Sequence, residues 1–129
     1  MVTPLDIFSG FSVNDLAAAK SFYGETLGLR ISDGPMGNLD LELPAGGLVF
    51  IYPKDDHVPA TFTILNLVVD DIDRAVDDLN AKGVATAIYD DPALPTDAKG
   101  VLRGRSQNRG PDIAWFRDPA GNVLSVLQE

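Results

Sequence analysis

Asp112-Ile113-Ala114-Trp115-Phe116-Arg117-Asp118-Pro119-Ala120-Gly121-Asn122-Val123-Leu124-Ser125-Val126-Leu127-Gln128 reads as two strands folded back on each other. Pro119 presets φ for the second position of a turn, and Asp118 can accept hydrogen bonds from the turn's own backbone. Gly121 supplies the left-handed residue that lets the second strand return. Val123, Leu124, Val126 and Leu127 then form an apolar, β-branched run in which Ser125 is the one polar residue. Between Pro and Gly, Asp118 reads as a turn former and not as a catalytic acid.

Working outward from this hairpin, a pattern occurs twice. Residues 61–69 read as a strand, Asp70 or Asp71 caps a helix carrying Ile72, Ala75, Val76 and Leu79 on one face, and Gly83 ends it. Residues 84–89 read as the next strand. In the first half, residues 5–13 read as a strand, Asn14 or Asp15 caps a helix with Leu16, Ala19, Tyr23 and Leu27, and Gly28 ends it. Strands follow at 29–33, 39–43 and 48–52. Val13 matches Val69, Leu16 matches Ile72, Ala19 matches Ala75 and Tyr23 matches Leu79. A repeat half the chain long implies two βαβββ units sharing one core, because one unit alone leaves a sheet face uncovered. The expectation is an α+β fold in one domain of two modules, residues 1–53 and 61–129, with 54–60 as a proline-bearing linker. Residues 90–108 form an insertion in the second module, of the length usual for a binding loop or lid.

Composition narrows the function. A chain of 129 residues, 45% hydrophobic and 22% charged, has the balance of a soluble globular domain. No apolar run reaches the roughly 18 residues that would span a bilayer, and the start lacks a signal-peptide pattern, so a cytoplasmic protein is expected. Without cysteine there is no disulfide, thiolate nucleophile or cysteine zinc site. A net charge of −9 opposes nucleic-acid binding, which depends on neutralising phosphates, and suits a cationic ligand or plain solubility. Asp70, Asp71, Asp73, Asp77 and Asp78 read as a solvated helix face. His57, beside Pro59 in the linker, reads as an exposed loop histidine.

The two βαβββ units, Phe22-Tyr23 before Leu27-Gly28, and Phe116-Arg117-Asp118-Pro119-Ala120-Gly121-Asn122 together resemble the vicinal oxygen chelate superfamily. That group includes glyoxalase I, extradiol dioxygenases, fosfomycin-resistance enzymes and bleomycin-resistance binding proteins. The resemblance covers nearly the whole chain and implies curved mixed sheets around a cleft. Its metal enzymes place His, Gln or Glu ligands on the first and last strands of each unit. Carried over, those positions fall on Phe8, Ile64 and Ser125, with the fourth near Phe50. A divalent metal needs three or four converging N, O or S donors, and these residues do not supply them. No metal and no other cofactor is therefore expected, and no catalytic residue is assigned.

What the expected cleft retains is apolar surface with a few polar points. By strand alternation Phe8, Gly10 and Ser12 share a side, as do Ile64, Asn66 and Val68, while Ser125 joins Val123 and Leu127. Asn66 would fix a ligand through its amide, Tyr52 and Trp115 would stack on one, and Arg103, Arg105 and Arg109 would meet a carboxylate or phosphate. The resulting expectation is a metal-free protein that binds a small aromatic or cationic molecule, without nucleic acid or membrane, as a homodimer. Two alternatives stand beside it: a metal-dependent lyase or dioxygenase of the glyoxalase type, and a non-catalytic interaction protein with a filled cleft.

Overall fold

The structure, a computed structural model, describes residues 1–129. The chain divides into two compact units, Met1–Val58 and Pro59–Glu129.

In the first unit β1 (Ser9–Val13) leads into α1 (Leu16–Ser21), whose N-cap Asp15 accepts a hydrogen bond from the Ala18 amide at 3.0 Å. The helix widens into a π-helical turn at Phe22–Thr26 and ends at Leu27, followed by Gly28 at φ 70°. β2 (Ile31–Asp33), β3 (Leu39–Glu42) and β4 (Leu48–Pro53) complete a four-stranded sheet in the order β1-β4-β3-β2, with β1 parallel to β4. Residues 5–8, expected in the first strand, lie outside it. Gly10 sits opposite Phe50, and a Cβ on it would stand 2.9 Å from the Phe50 carbonyl oxygen, so glycine permits this close strand approach.

Alternation divides the sheet residues by face. Phe11, Val13, Leu39, Leu41, Val49 and Ile51 are buried, together with Ala19, Phe22 and Tyr23 of the helical segment. Tyr23 meets the ring of Phe11 at 5.8 Å and that of Phe22, edge-on, at 5.3 Å between centroids. Burying each such large side chain contributes about 1.5–3 kcal/mol. The opposite face carries Phe8, Ser12, Asp40, Phe50 and Tyr52, all half-buried or exposed.

The second unit repeats the order with β5 (Thr63–Val68), α2 (Ile72–Ala81), β6 (Val101–Arg103), β7 (Asp112–Arg117) and β8 (Val123–Gln128), arranged β5-β8-β7-β6. Asp71 caps α2 by accepting from the Arg74 amide at 3.1 Å, and Gly83 follows the helix at φ 82°. Ile72, Val76 and Leu79 are buried, with Val101, Ala114, Phe116, Leu124 and Val126 of the sheet. In the closing hairpin Asp118 Oδ1 accepts from the amides of Ala120 (3.0 Å) and Asn122 (2.8 Å), and Gly121 takes φ 84°. The buried carboxylate is thus consumed by its own turn.

Two further details differ from the sequence reading. Residues 84–89 are not a strand; the second strand of this unit is Val101–Arg103, inside the segment read as an insertion. Side chains, not ladder bonds, fasten the earlier stretch: buried Thr86 donates from Oγ1 to the Lys99 carbonyl at 2.8 Å. Gly100, at φ 80°, lets the chain pass, since a Cβ there would collide with the Thr86 carbonyl. The second difference lies in β5. Thr63 pairs with Val123 and Leu65 with Leu124, so two steps along β5 match one along β8 and Ile64 is the extra residue of a bulge. The bulge puts Thr63, in place of Ile64, on the face of Asn66. No helix is long and apolar enough to cross a membrane.

Candidate functional site

The face of the first sheet opposite its buried side carries a row of rings. Phe8 lies 6.2 Å from Phe50, and Phe50 lies 5.8 Å from Tyr52, between centroids. Phe50 and Tyr52 stand two apart on β4, and Gly10, opposite Phe50, adds no side chain of its own. Phe8 is 64% exposed, so the row is open to a ligand along one end. Its borders are polar. Asp40 is the cross-strand partner of Phe50 on β3 and accepts from Asn38 Nδ2 at 2.9 Å.

At the Tyr52 end is a pair that sequence reading missed. Ser12, the β1 partner of Tyr52, has its Oγ 2.6 Å from His57 Nδ1. His57 is half-buried, not the exposed loop residue expected. A tight turn places it: the Lys54 amide donates to the Val13 carbonyl at 2.9 Å, and the His57 amide donates to the Lys54 carbonyl at 3.1 Å. Lys54 Nζ and Asp56 Oδ1 close the turn at 2.7 Å, and this contact raises the lysine pKa and lowers that of the aspartate. No periodic signal marks such a turn. Only the proximity of Pro53 and Pro59 to a lone histidine hinted at a fixed loop.

In the second unit Trp115, Ser125 and Asn66 lie in one cross-strand row over β7, β8 and β5. Ser125 is fully buried and donates from Oγ to Asn66 Oδ1 at 2.6 Å. Asn66 itself is exposed, and with its oxygen so engaged its amide N–H groups remain as the donors for a ligand. Trp115 Nε1 donates to Thr63 Oγ1 at 3.2 Å, and Tyr89 meets the indole edge-on at 5.0 Å. Thr63 and Tyr89 were not singled out from sequence; the bulge hid the first, and the irregular 84–90 segment hid the second.

The structure does not bring Arg103 and Arg105 to this row. Arg103 forks onto Asp73 of α2 (Nη1–Oδ2 3.0 Å, Nη2–Oδ1 2.8 Å) and reaches Asp97 Oδ2 through Nε at 2.9 Å. Lys99 joins the same cluster, 3.0 Å from Asp73 and 2.9 Å from Asp77. The Arg103 and Lys99 hydrogen bonds hold the Asp73 carboxyl well below the usual carboxylate range, while Asp73 raises the pKa of Arg103. Arg105 donates its amide to Asp112 Oδ1 at 3.0 Å, with its guanidinium 3.8 Å from the same carboxylate. Both arginines therefore have partners in their own chain, on the side of the sheet that α2 covers. Ile64 is displaced by the bulge.

The ligand positions implied by the resemblance do not fit a divalent ion. Phe8, Phe50 and Ile64 carry no donor, and the Ser125 hydroxyl is spent on Asn66. No three His, Asp or Glu side chains converge elsewhere into a set that could hold a metal.

The family model described as Glyoxalase/Bleomycin resistance protein/Dioxygenase superfamily matches residues 7–126, and the chain belongs to that superfamily. Among solved structures, it is similar to a member of the same superfamily from Sphaerobacter thermophilus DSM 20745. The two share 23% identity and a TM-score of 0.65 over 97% of this chain and 98% of that one. A lactoylglutathione lyase from Agrobacterium tumefaciens is 19% identical, with a TM-score of 0.63 over 97% and 94% of the two chains. An integron cassette protein from the mobile metagenome of V. cholerae is 22% identical, with a TM-score of 0.63 over 99% and 96%. At these identities the likeness establishes the fold. No protein of curated function matches the sequence.

Proposed function

We propose that this protein is a metal-independent binding protein of the cytoplasm that holds a small planar, aromatic or cationic molecule. The observation that carries the reading is the Phe8–Phe50–Tyr52 row on an open sheet face. Aromatic faces stack on planar ligands and attract cations by about 0.5–2 kcal/mol, depending on desolvation. The net charge of −9 favours encounter with a cation at modest ionic strength. A thermal-shift panel of glycopeptide and planar aromatic antibiotics tests the reading. A ligand of the folded state raises the melting temperature in a saturable way, and Phe50→Ala should abolish the shift while remaining folded. A panel that leaves the wild type unshifted, or a shift that survives in Phe50→Ala, counts against the ring row.

A second reading has one observation in its favour. Tyr89 packs perpendicular to the ring of Trp115, whose N–H is already satisfied by Thr63, so the second face is partly filled by its own side chains. Such a face suits contact with a protein partner.

A further inference from the structure

We infer that Ser12 and His57 form a nucleophile–base pair, and that the ring-lined face of the first unit takes acyl groups from activated aryl esters onto Ser12 and passes them to water. This goes beyond the binding reading by assigning chemistry to the same face. Four observations converge. The Ser12 Oγ–His57 Nδ1 separation of 2.6 Å is within the reach that proton transfer requires. Both residues are half-buried, so the pair is shielded in part yet reachable. The turn from Lys54 holds the histidine backbone through the His57 amide's hydrogen bond to the Lys54 carbonyl, and Lys54 is in turn hydrogen-bonded to Val13, so the pairing does not rest on a mobile side chain alone. Finally, Tyr52 is the strand partner of Ser12 and continues through Phe50 to Phe8, which gives an aryl group a stacking surface beside the hydroxyl.

The chemistry balances with water as the only co-reactant. With the ring proton on Nε2, His57 Nδ1 accepts the Ser12 hydroxyl proton as Oγ bonds to the ester carbonyl carbon. The tetrahedral adduct collapses, the carbon–oxygen bond to the aryl group breaks, and His57 gives its proton to the departing oxygen, so that a phenol leaves and the imidazole is neutral again. Water then attacks the acyl-Ser12 carbonyl, giving its proton to His57. Collapse breaks the bond to Ser12 Oγ, His57 returns that proton to Oγ, and a carboxylic acid is released. Aryl esters suit the pair because a phenolate leaves without strong acid assistance.

The probe is 4-nitrophenyl acetate, read by phenolate release and by peptide mass mapping of quenched protein. One acetyl group on the peptide carrying Ser12 is expected, absent from Ser12→Ala, with Ser12 acetylation slowed roughly a hundredfold in His57→Ala. Circular dichroism checks that both variants keep the wild-type fold. Should Ser12→Ala fail to fold, the acetyl position mapped in the wild type and the rate in His57→Gln decide instead. Acetyl groups on lysines alone, or acetylation of Ser12 at an unchanged rate without the imidazole, would overturn the assignment.

Discussion

A single hydroxyl shows how the second face is organised. Ser125 has no exposure, so its Oγ needs a partner inside the protein, and Asn66 is that partner. Asn66→Leu therefore does more than remove a ligand-facing amide: it strands a buried hydroxyl, at a cost of about 1–3 kcal/mol. Ser125→Ala added to it should recover most of that loss. Urea unfolding of the two single variants and the double variant measures the coupling. Additive losses would mean that the bond contributes nothing beyond its parts. Ser125 stands out in sequence because one polar residue interrupts an apolar strand, and Asn66 because an amide inside an apolar strand needs a partner. Their bond could not be read, since it depends on register, which the bulge at Ile64 resets. The Ser12–His57 contact was hidden for a different reason: the residues are 45 apart and meet through a turn that no periodicity announces.

At the level of elements, α2 is tied to the β6 segment by charge. Asp73 accepts both ends of the Arg103 fork and a bond from Lys99, which depresses its pKa from the ordinary 3.8. A carboxylate held below its unfolded value stabilises the fold above that value. As pH falls through 3.8 the unfolded chain takes up a proton first, and the stabilisation declines toward the lower folded pKa. The melting temperature should fall as pH drops through this window, and the fall should be shallower in Asp73→Asn. Parallel curves for wild type and variant would show that the clamp does not contribute. These same contacts explain which elements sequence reading could place. The caps Asp15 and Asp71 and the Asp118 turn act within four residues, so local chemistry reveals them. β6 depends on Thr86 reaching Lys99 and on Gly100 passing beneath it, a contact between segments that residue type does not encode. Its apolar neighbour, residues 84–89, has strand composition without strand pairing. The arginines Arg103 and Arg105 read as ligand-binding because their acidic partners come from α2, β7 and the loop before β6, at separations of 6–30 residues.

For the molecule as a whole, the superfamily and its βαβββ repeat follow from sequence and are seen in the structure, and no three His, Asp or Glu side chains converge into a set that could hold a metal. On our proposal, the aromatic side chains Phe8 and Phe50 of the first unit offer a stacking surface at positions where a metal would need donors. We expect a homodimer in solution, in keeping with the habit of this fold. Light scattering at micromolar concentration should then give twice the 13.8 kDa chain mass, and the single-chain mass would contradict it. The central claim is that the ring-lined face binds its ligand without a metal. Calorimetric titration of exhaustively chelated protein, with the best ligand from the antibiotic panel, tests this most directly. The account predicts saturable binding that is unchanged when zinc, nickel, manganese or iron is restored. Binding that appears only after an ion is added back would contradict it.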